Sequence, residues 1–245
     1  MKLSALPALA ALALVAACGG GGSGEAPTAP ANSVAAVAAP AGQDWTQQVR
    51  ATQEGGYVMG NPDAPLKLVE WGSRLCPTCG AFANTGMRPL IENYVKAGKV
   101  SYEFREYLVH GAPDFAPALI GRCAGAEPFF PMLEEMFAAQ ETILPKMEDA
   151  GAFQQQVASL PPGQAFTRWA EKLGYIEFAK QRGLPEAQVR ACLTDTKAID
   201  DLVRYMDAGT KAGVTGTPTF FLNGQKLDGA VSWPQVEQAL KNAGA

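Results

Sequence analysis

The sequence predicts an α/β fold: a central mixed sheet flanked by helices and interrupted by a large all-α insertion. Three observations carry this. Residues 66–107 read strand, turn, helix, strand. Residues 111–206 hold only helical apolar spacing. Residues 217–240 read strand, tight turn, strand, helix. A β-α-β order implies a parallel pair with a crossover helix, and a tight hairpin adds antiparallel strands.

In order along the domain, Asp44 to Glu54 is polar with scattered apolar positions and is predicted as a short helix. Tyr57-Val58-Met59 reads as a short strand, and Asn61-Pro62-Asp63-Ala64-Pro65 as a turn. Leu66 to Trp71 is mostly apolar, which predicts a central strand. Phe82 to Val95 has helical spacing and closes at Ala97-Gly98. Lys99 to Tyr107 alternates and predicts a second strand. In the insertion, Leu119, Ile120 and Cys123 share one face. So do Met132, Leu133, Met136 and Phe137; Phe166, Trp169, Ala170 and Leu173; Val189, Cys192 and Leu193; and Ile199, Leu202, Val203 and Met206. Pro185 suits a first helical turn. Thr217 to Leu222 is a strand, and Asn223-Gly224 the strongest short hairpin signal, with Gln225 to Leu227 returning. Ser232 and Gln235 spell a capping box before a last helix carrying Val236 and Leu240.

Ahead of this domain (44–245, with core parts at about 57–110 and 207–245 around the insertion) lie two other blocks. Residues 1–17 hold one Lys and then an apolar run ending in small residues, a signal peptide too short to span a bilayer. Val15-Ala16-Ala17-Cys18 resembles the bacterial lipobox, which implies cleavage before Cys18 and lipidation there; Gly19 after it resembles the outer-membrane pattern. The alternative is ordinary cleavage nearby with Cys18 incidental. Residues 18–43, rich in Gly, then Ala and Pro, read as a flexible linker with a reach of roughly 25–30 Å. Export predicts the periplasmic side of the envelope, where disulfides persist. The chain of 245 residues is 47% hydrophobic and 18% charged, which excludes a wholly disordered protein. Its net charge of −4 argues against a nucleic-acid binder.

Cys76-Pro77-Thr78-Cys79 sits at a strand-to-helix junction. At a helix start, free N–H groups and the positive end of the helix dipole stabilise a thiolate, the attacking species in disulfide exchange. Cys76 is therefore the expected nucleophile and Cys79, one turn in, the resolving thiol. A zinc knuckle or an inert disulfide are the alternatives for a bare CxxC.

The order strand, CxxC-helix, strand, then Thr-Pro-strand-Asn-Gly-strand-helix resembles the thioredoxin fold. Val69-Glu70-Trp71-Gly72-Ser73, the CxxC, the helical insertion and Gly213-Val214-Thr215-Gly216-Thr217-Pro218-Thr219-Phe220 resemble the DsbA-like thiol-disulfide oxidoreductases, over about Tyr57 to Ala245. The resemblance implies a cis-proline at Pro218 facing the cysteines. It implies a backbone at Thr217 that pairs with substrate, and a buried proton-relaying acid at Glu70, for which a solvated strand acid is the alternative. Thr78 stands where many strongly oxidising members carry His. His110, the single histidine, is expected to be a loop residue.

Four cysteines remain if Cys18 is lipidated. A structural disulfide between Cys123 and Cys192 is expected; two buried thiols, or a four-cysteine zinc site, are the alternatives. Trp71, Leu75 and Phe82 are candidates for an exposed apolar substrate patch, with core packing as the alternative. The function expected is donation of the Cys76–Cys79 disulfide to unfolded or reduced secreted proteins, by a monomer that uses no cofactor and no metal. A quinone-linked membrane partner would reoxidise it. A reductase or isomerase using the same site, or a non-catalytic binding or holdase protein, are the competing functions.

Overall fold

The computed structural model describes residues 33–245. The signal peptide, Cys18 and most of the predicted linker lie outside the described residues. Six strands form one mixed sheet in the order β1-β2-β4-β3-β5-β6. They are β1 (Val49–Ala51), β2 (Tyr57–Met59), β3 (Leu66–Gly72), β4 (Val100–Glu106), β5 (Thr219–Leu222) and β6 (Gln225–Lys226). The apolar β3 is central: it runs parallel to β4, from Leu66 opposite Val100 to Gly72 opposite Glu106, and antiparallel to β5. The two parallel strands therefore end side by side, and the chain leaves both at one edge of the sheet.

The segment predicted as a helix over 44–54 is corrected. Only Trp45–Gln47 makes a short helical turn, capped by Asp44, and Val49–Ala51 then pairs with β2 as an edge strand. Three residues of edge pairing leave little periodic signal. Further upstream, Val34 N donates to Gly244 O and Val37 N to Ala97 O, and the Trp45 indole N–H donates to Val37 O. The end of the compositional linker therefore runs docked against the domain.

The helix after the CxxC starts at Pro77–Phe82 and continues to Val95 through two wide π turns, Ala83–Met87 and Ile91–Val95. Pro89 has no N–H for the regular ladder, which suits the widened turns around it. The Asn223-Gly224 turn has positive φ at both residues (49° and 80°), as a tight hairpin demands. Asn223 Oδ1 also accepts from Lys67 N and so ties this turn to β3. Gln235 Oε1 accepts from Ser232 N at the start of the helix Trp233–Asn242.

Two apolar cores result. One lies between the sheet and the helices at 77–95 and Trp233–Asn242, and it includes Cys76, Cys79, Phe82, Phe104 and Phe220. The other fills the insertion around Trp169, Leu173, Val189 and Leu202. The helix Phe129–Ala138 serves both: Phe129, Phe130, Leu133 and Phe137 enter the sheet core, while Met132 and Met136 enter the insertion. The insertion's last helix runs Thr196–Lys211, five residues past the predicted end at 206. On it Val203, predicted on the apolar face, is exposed.

Candidate active site

Cys76 caps the helix Pro77–Phe82, with an extended backbone and its sulfur turned back over the first turn. Cys79 N–H donates to Cys76 Sγ at 3.4 Å, and Sγ lies 3.3 Å from the carbonyl oxygen of Thr217. The Thr217–Pro218 peptide bond is cis. Cys76 and Cys79 are unbonded and buried, while Pro77 and Thr78 between them are exposed. The Cys76 thiol is pulled down to about 5. Bonding from Cys79 contributes most, against the opposing effect of burial; the Thr217 hydroxyl and the Thr78 N–H add to it. In the neutral form the S–H donates to the Thr217 carbonyl. In the anionic form the buried Thr217 hydroxyl, otherwise without a hydrogen-bond partner, faces the sulfur. Cys79 is pushed well above the ordinary thiol range, first by burial and then by its bond to Cys76. The two sulfurs are thus split: Cys76 favours the anion and Cys79 the neutral thiol.

Beneath them lies Glu70, 1% exposed, which excludes the solvated-acid alternative. Burial is the main cause that raises its carboxyl to about 8. Tyr102, on β4, donates to Glu70 Oε2 at 2.5 Å, while Oε1 has no partner. Glu70 and Cys79 act on each other electrostatically, so an acid that titrates near neutrality shares this interior with the inner thiol.

A family model described as thioredoxin matches residues 52–242. The chain belongs to the thioredoxin family. Within that family its architecture resembles solved structures that also match most of this chain. A protein-disulfide isomerase from Novosphingobium aromaticivorans is 26% identical, with a TM-score of 0.70 over 76% of this chain and 97% of that one. Wolbachia pipientis alpha-DsbA1 shares the fold at a TM-score of 0.59 and 19% identity, over 75% of this chain and 87% of its own. A Rickettsia bellii relative with the provisional name protein-disulfide oxidoreductase is 25% identical over 180 residues, 71% of this chain and 60% of that protein. The chain spans about three fifths or less of the length of the curated relatives it matches.

Against this thioredoxin-family site, the predicted substrate patch is corrected. Trp71, Leu75 and Phe82 are 3%, 1% and 1% exposed. Trp71 lies on the sheet face opposite Glu70 and is covered by the helix Thr196–Lys211, where Gly209 approaches so closely that a Cβ would stand 2.9 Å from the indole. Leu75 belongs to the insertion core, and Phe82 packs on Phe220. Cys123 and Cys192 are joined, with Cα atoms 5.9 Å apart, and pin the end of the helix Ala112–Cys123 to the helix Glu186–Thr194. That bond closes the four-cysteine zinc alternative. Among the described residues no cluster of His, Cys, Asp or Glu is arranged to hold a metal, and no helix is long and apolar enough to cross a membrane.

The sequence reading missed four groups. Tyr102 holds Glu70. Gln140, buried on the insertion, donates from Nε2 to Arg74 O (3.0 Å) and Cys76 O (2.9 Å) and so braces the turn that carries the nucleophile. Arg74 forms a buried ion pair with Glu106 at 2.7 Å. Ser73, Asp114 and His110 are linked beside the same turn. Only the last had a signal in the sequence, an Asp four residues after the single His.

Proposed function

We propose that this protein is a protein dithiol-disulfide oxidoreductase of the cell envelope that donates its Cys76–Cys79 disulfide to secreted proteins. The observation that carries the reading is the Cys76 sulfur at a helix mouth, opposite the carbonyl of Thr217 in a cis Thr-Pro peptide, with its thiol pulled down to about 5. The oxidised form runs the chemistry in balanced steps. A substrate thiolate attacks Cys76 Sγ; the 76–79 bond breaks and its electron pair leaves with Cys79. Glu70, neutral below about 8, supplies the proton that Cys79 then holds. A second substrate thiolate attacks the substrate sulfur of the mixed disulfide, and Cys76 departs as a stabilised thiolate. A low leaving-group pKa speeds this last step, and a stabilised reduced form makes the disulfide a stronger oxidant, so donation is favoured over the reductase or isomerase direction.

Thr217 offers backbone for an extended substrate segment, a mode that reads shape more than sequence. The natural substrates are unfolded or reduced exported chains, and reoxidation falls to a quinone-linked membrane partner. The apolar run at residues 1–17 and the lipobox-like residues ending at Cys18 support a location on the periplasmic side, anchored by lipid at the outer membrane, with the catalytic domain working as a monomer.

The test is the reduction potential of the purified domain against glutathione, together with exchange assays on a reduced, unfolded substrate. A potential near roughly −120 mV supports an oxidase; one near roughly −270 mV overturns that direction in favour of a reductase. Cys76→Ser is expected to abolish exchange. Substrate protection that survives in C76S while the parent exchanges nothing would instead mark a holdase.

A further inference from the structure

We propose that His110 is the cation of this active site: an imidazolium clamped by Asp114 beside the Cys76 turn, which sets how readily Cys76 holds negative charge. The inference rests on Cys76 being the attacking thiol. The CxxC itself carries no ionisable side chain between its cysteines, only Pro77 and Thr78.

The geometry begins with the sheet. Gly72 ends β3 opposite Glu106 at the end of β4, so residues 73–76 and 107–110 leave the sheet together. One carboxylate ties the two exits. Asp114, its side chain 1% exposed, accepts from His110 N (2.7 Å) and from Ser73 Oγ (2.8 Å), and stands 3.1 Å from His110 Nδ1. Ser73 in turn organises the nucleophile's turn: its Oγ accepts from Leu75 N and its carbonyl from Cys76 N. Asp114 and Ser73 thus join the imidazole to the backbone of Cys76. The ring keeps a third of its surface in water, so it faces outward while its anchor is buried.

The electrostatics run the same way. Among the described residues the ion-pair partner of Asp114 is His110, and a buried carboxylate strongly favours a cation beside it. The bond to Asp114 is the largest cause that raises the His110 imidazole above its ordinary value, against the effect of burial, and negative charge on Cys76 adds to it. Proton linkage is reciprocal: if a thiolate at Cys76 favours the imidazolium, the imidazolium favours the thiolate equally. The other charges packed here are the Arg74–Glu106 pair, which is internally neutral, and Tyr175 of the helix Tyr175–Lys180. Burial keeps that hydroxyl un-ionised, and it feels Arg74, Asp114 and Glu106. The sign follows. Below its raised transition His110 is cationic and stabilises the thiolate; above it, this stabilisation is lost.

The test uses the reduced chain, with the Cys76 thiolate followed by ultraviolet absorbance and alkylation rate across pH. It adds the glutathione equilibrium, in which protein disulfide and two glutathiones give protein dithiol and glutathione disulfide. His110→Gln is expected to raise the Cys76 transition. It should also move the glutathione equilibrium about fivefold toward the protein disulfide, a modest effect because water screens a partly open pair; that is about 20 mV for a two-electron couple. His110→Lys should keep the parent's low transition but remove the inflection owed to the imidazole. Unchanged curves in H110Q, or an H110K chain that behaves like H110Q, would overturn the assignment. A parent that exchanges no disulfides would sink the oxidoreductase reading alone, because the Cys76 titration in H110Q still decides for or against His110.

Discussion

At Cys76 the decisive contacts are short-range and chemically simple: the Cys79 thiol first, then the Thr217 hydroxyl and the backbone N–H groups at the open end of a helix. At Glu70 the decisive factor is the reverse, the removal of water. A carboxyl that burial lifts to about 8 and a thiolate that hydrogen bonding lowers to about 5 sit on either side of a thiol that stays protonated. In the mechanism proposed above, Glu70 exchanges the Cys79 proton near neutral pH, giving it in one direction and taking it in the other. If Glu70 is the base when Cys79 attacks a mixed disulfide, as proposed above, the rate of that step should rise as pH climbs through about 8. Glu70→Gln keeps the size and the contact with Tyr102 but cannot take a proton. The step should slow by about a hundredfold and lose its inflection, within the usual range for a positioned general base. Stopped-flow release of a substrate thiol from the Cys76 adduct measures it; an E70Q profile that overlays the parent's would remove Glu70 from the proton path.

Between elements, the chemistry depends on how the insertion grips the CxxC turn. Gly80 is glycine because Gln140 lies on it: a Cβ there would stand 2.0 Å from Gln140 Oε1. Gly80→Ala should push Gln140 off the carbonyls of Arg74 and Cys76 and cost about 1–3 kcal/mol, by overpacking and by leaving those buried acceptors unpaired. Gln140→Leu should cost a similar amount without the clash. Denaturant unfolding of both variants checks this, and a G80A chain as stable as the parent would show that the contact is slack. The sequence did not disclose this brace, since Gln140 is 64 residues from Cys76 and its role comes from packing, not from any period. What was legible was local. The apolar run 66–71, the helix start at the CxxC and Asn223-Gly224 each state their geometry within a few residues, whereas the expectation of a cis bond before Pro218 came from the family resemblance. Trp71 shows where that stops. Strand alternation puts it opposite Glu70, but whether that face is open depends on a helix more than a hundred residues later, which covers it at Gly209. The strand Val49–Ala51 was missed for a related reason, because its only support is its neighbour β2.

Across the whole molecule, the two cores meet at the helix Phe129–Ala138 and at the active-site turn, so the redox state of two sulfurs is felt by the stability of the entire fold. Cys76, lowered in the folded reduced protein from an ordinary 9.0 to about 5, contributes stability that is complete above about 9 and is lost as pH falls through about 5. Glu70, raised from 4.5 to about 8, contributes stability that is complete below about 4.5 and is lost as pH rises through about 8. With Cys76 and Cys79 bonded, the first contribution vanishes and only the second remains. Between about 5 and 9 the reduced protein should therefore gain on the oxidised one as pH rises. The ceiling is about 1.4 kcal/mol per pH unit, and solvent screening lowers it. Urea midpoints of both forms, measured at several pH values across that window, should draw apart in favour of the reduced form. Cys76→Ser should follow the slope of the oxidised protein. Two parallel lines for the oxidised and reduced parent would mean that the Cys76 thiolate is no better stabilised in the folded chain than in the unfolded one, and the electrostatic basis for disulfide donation would fail with it.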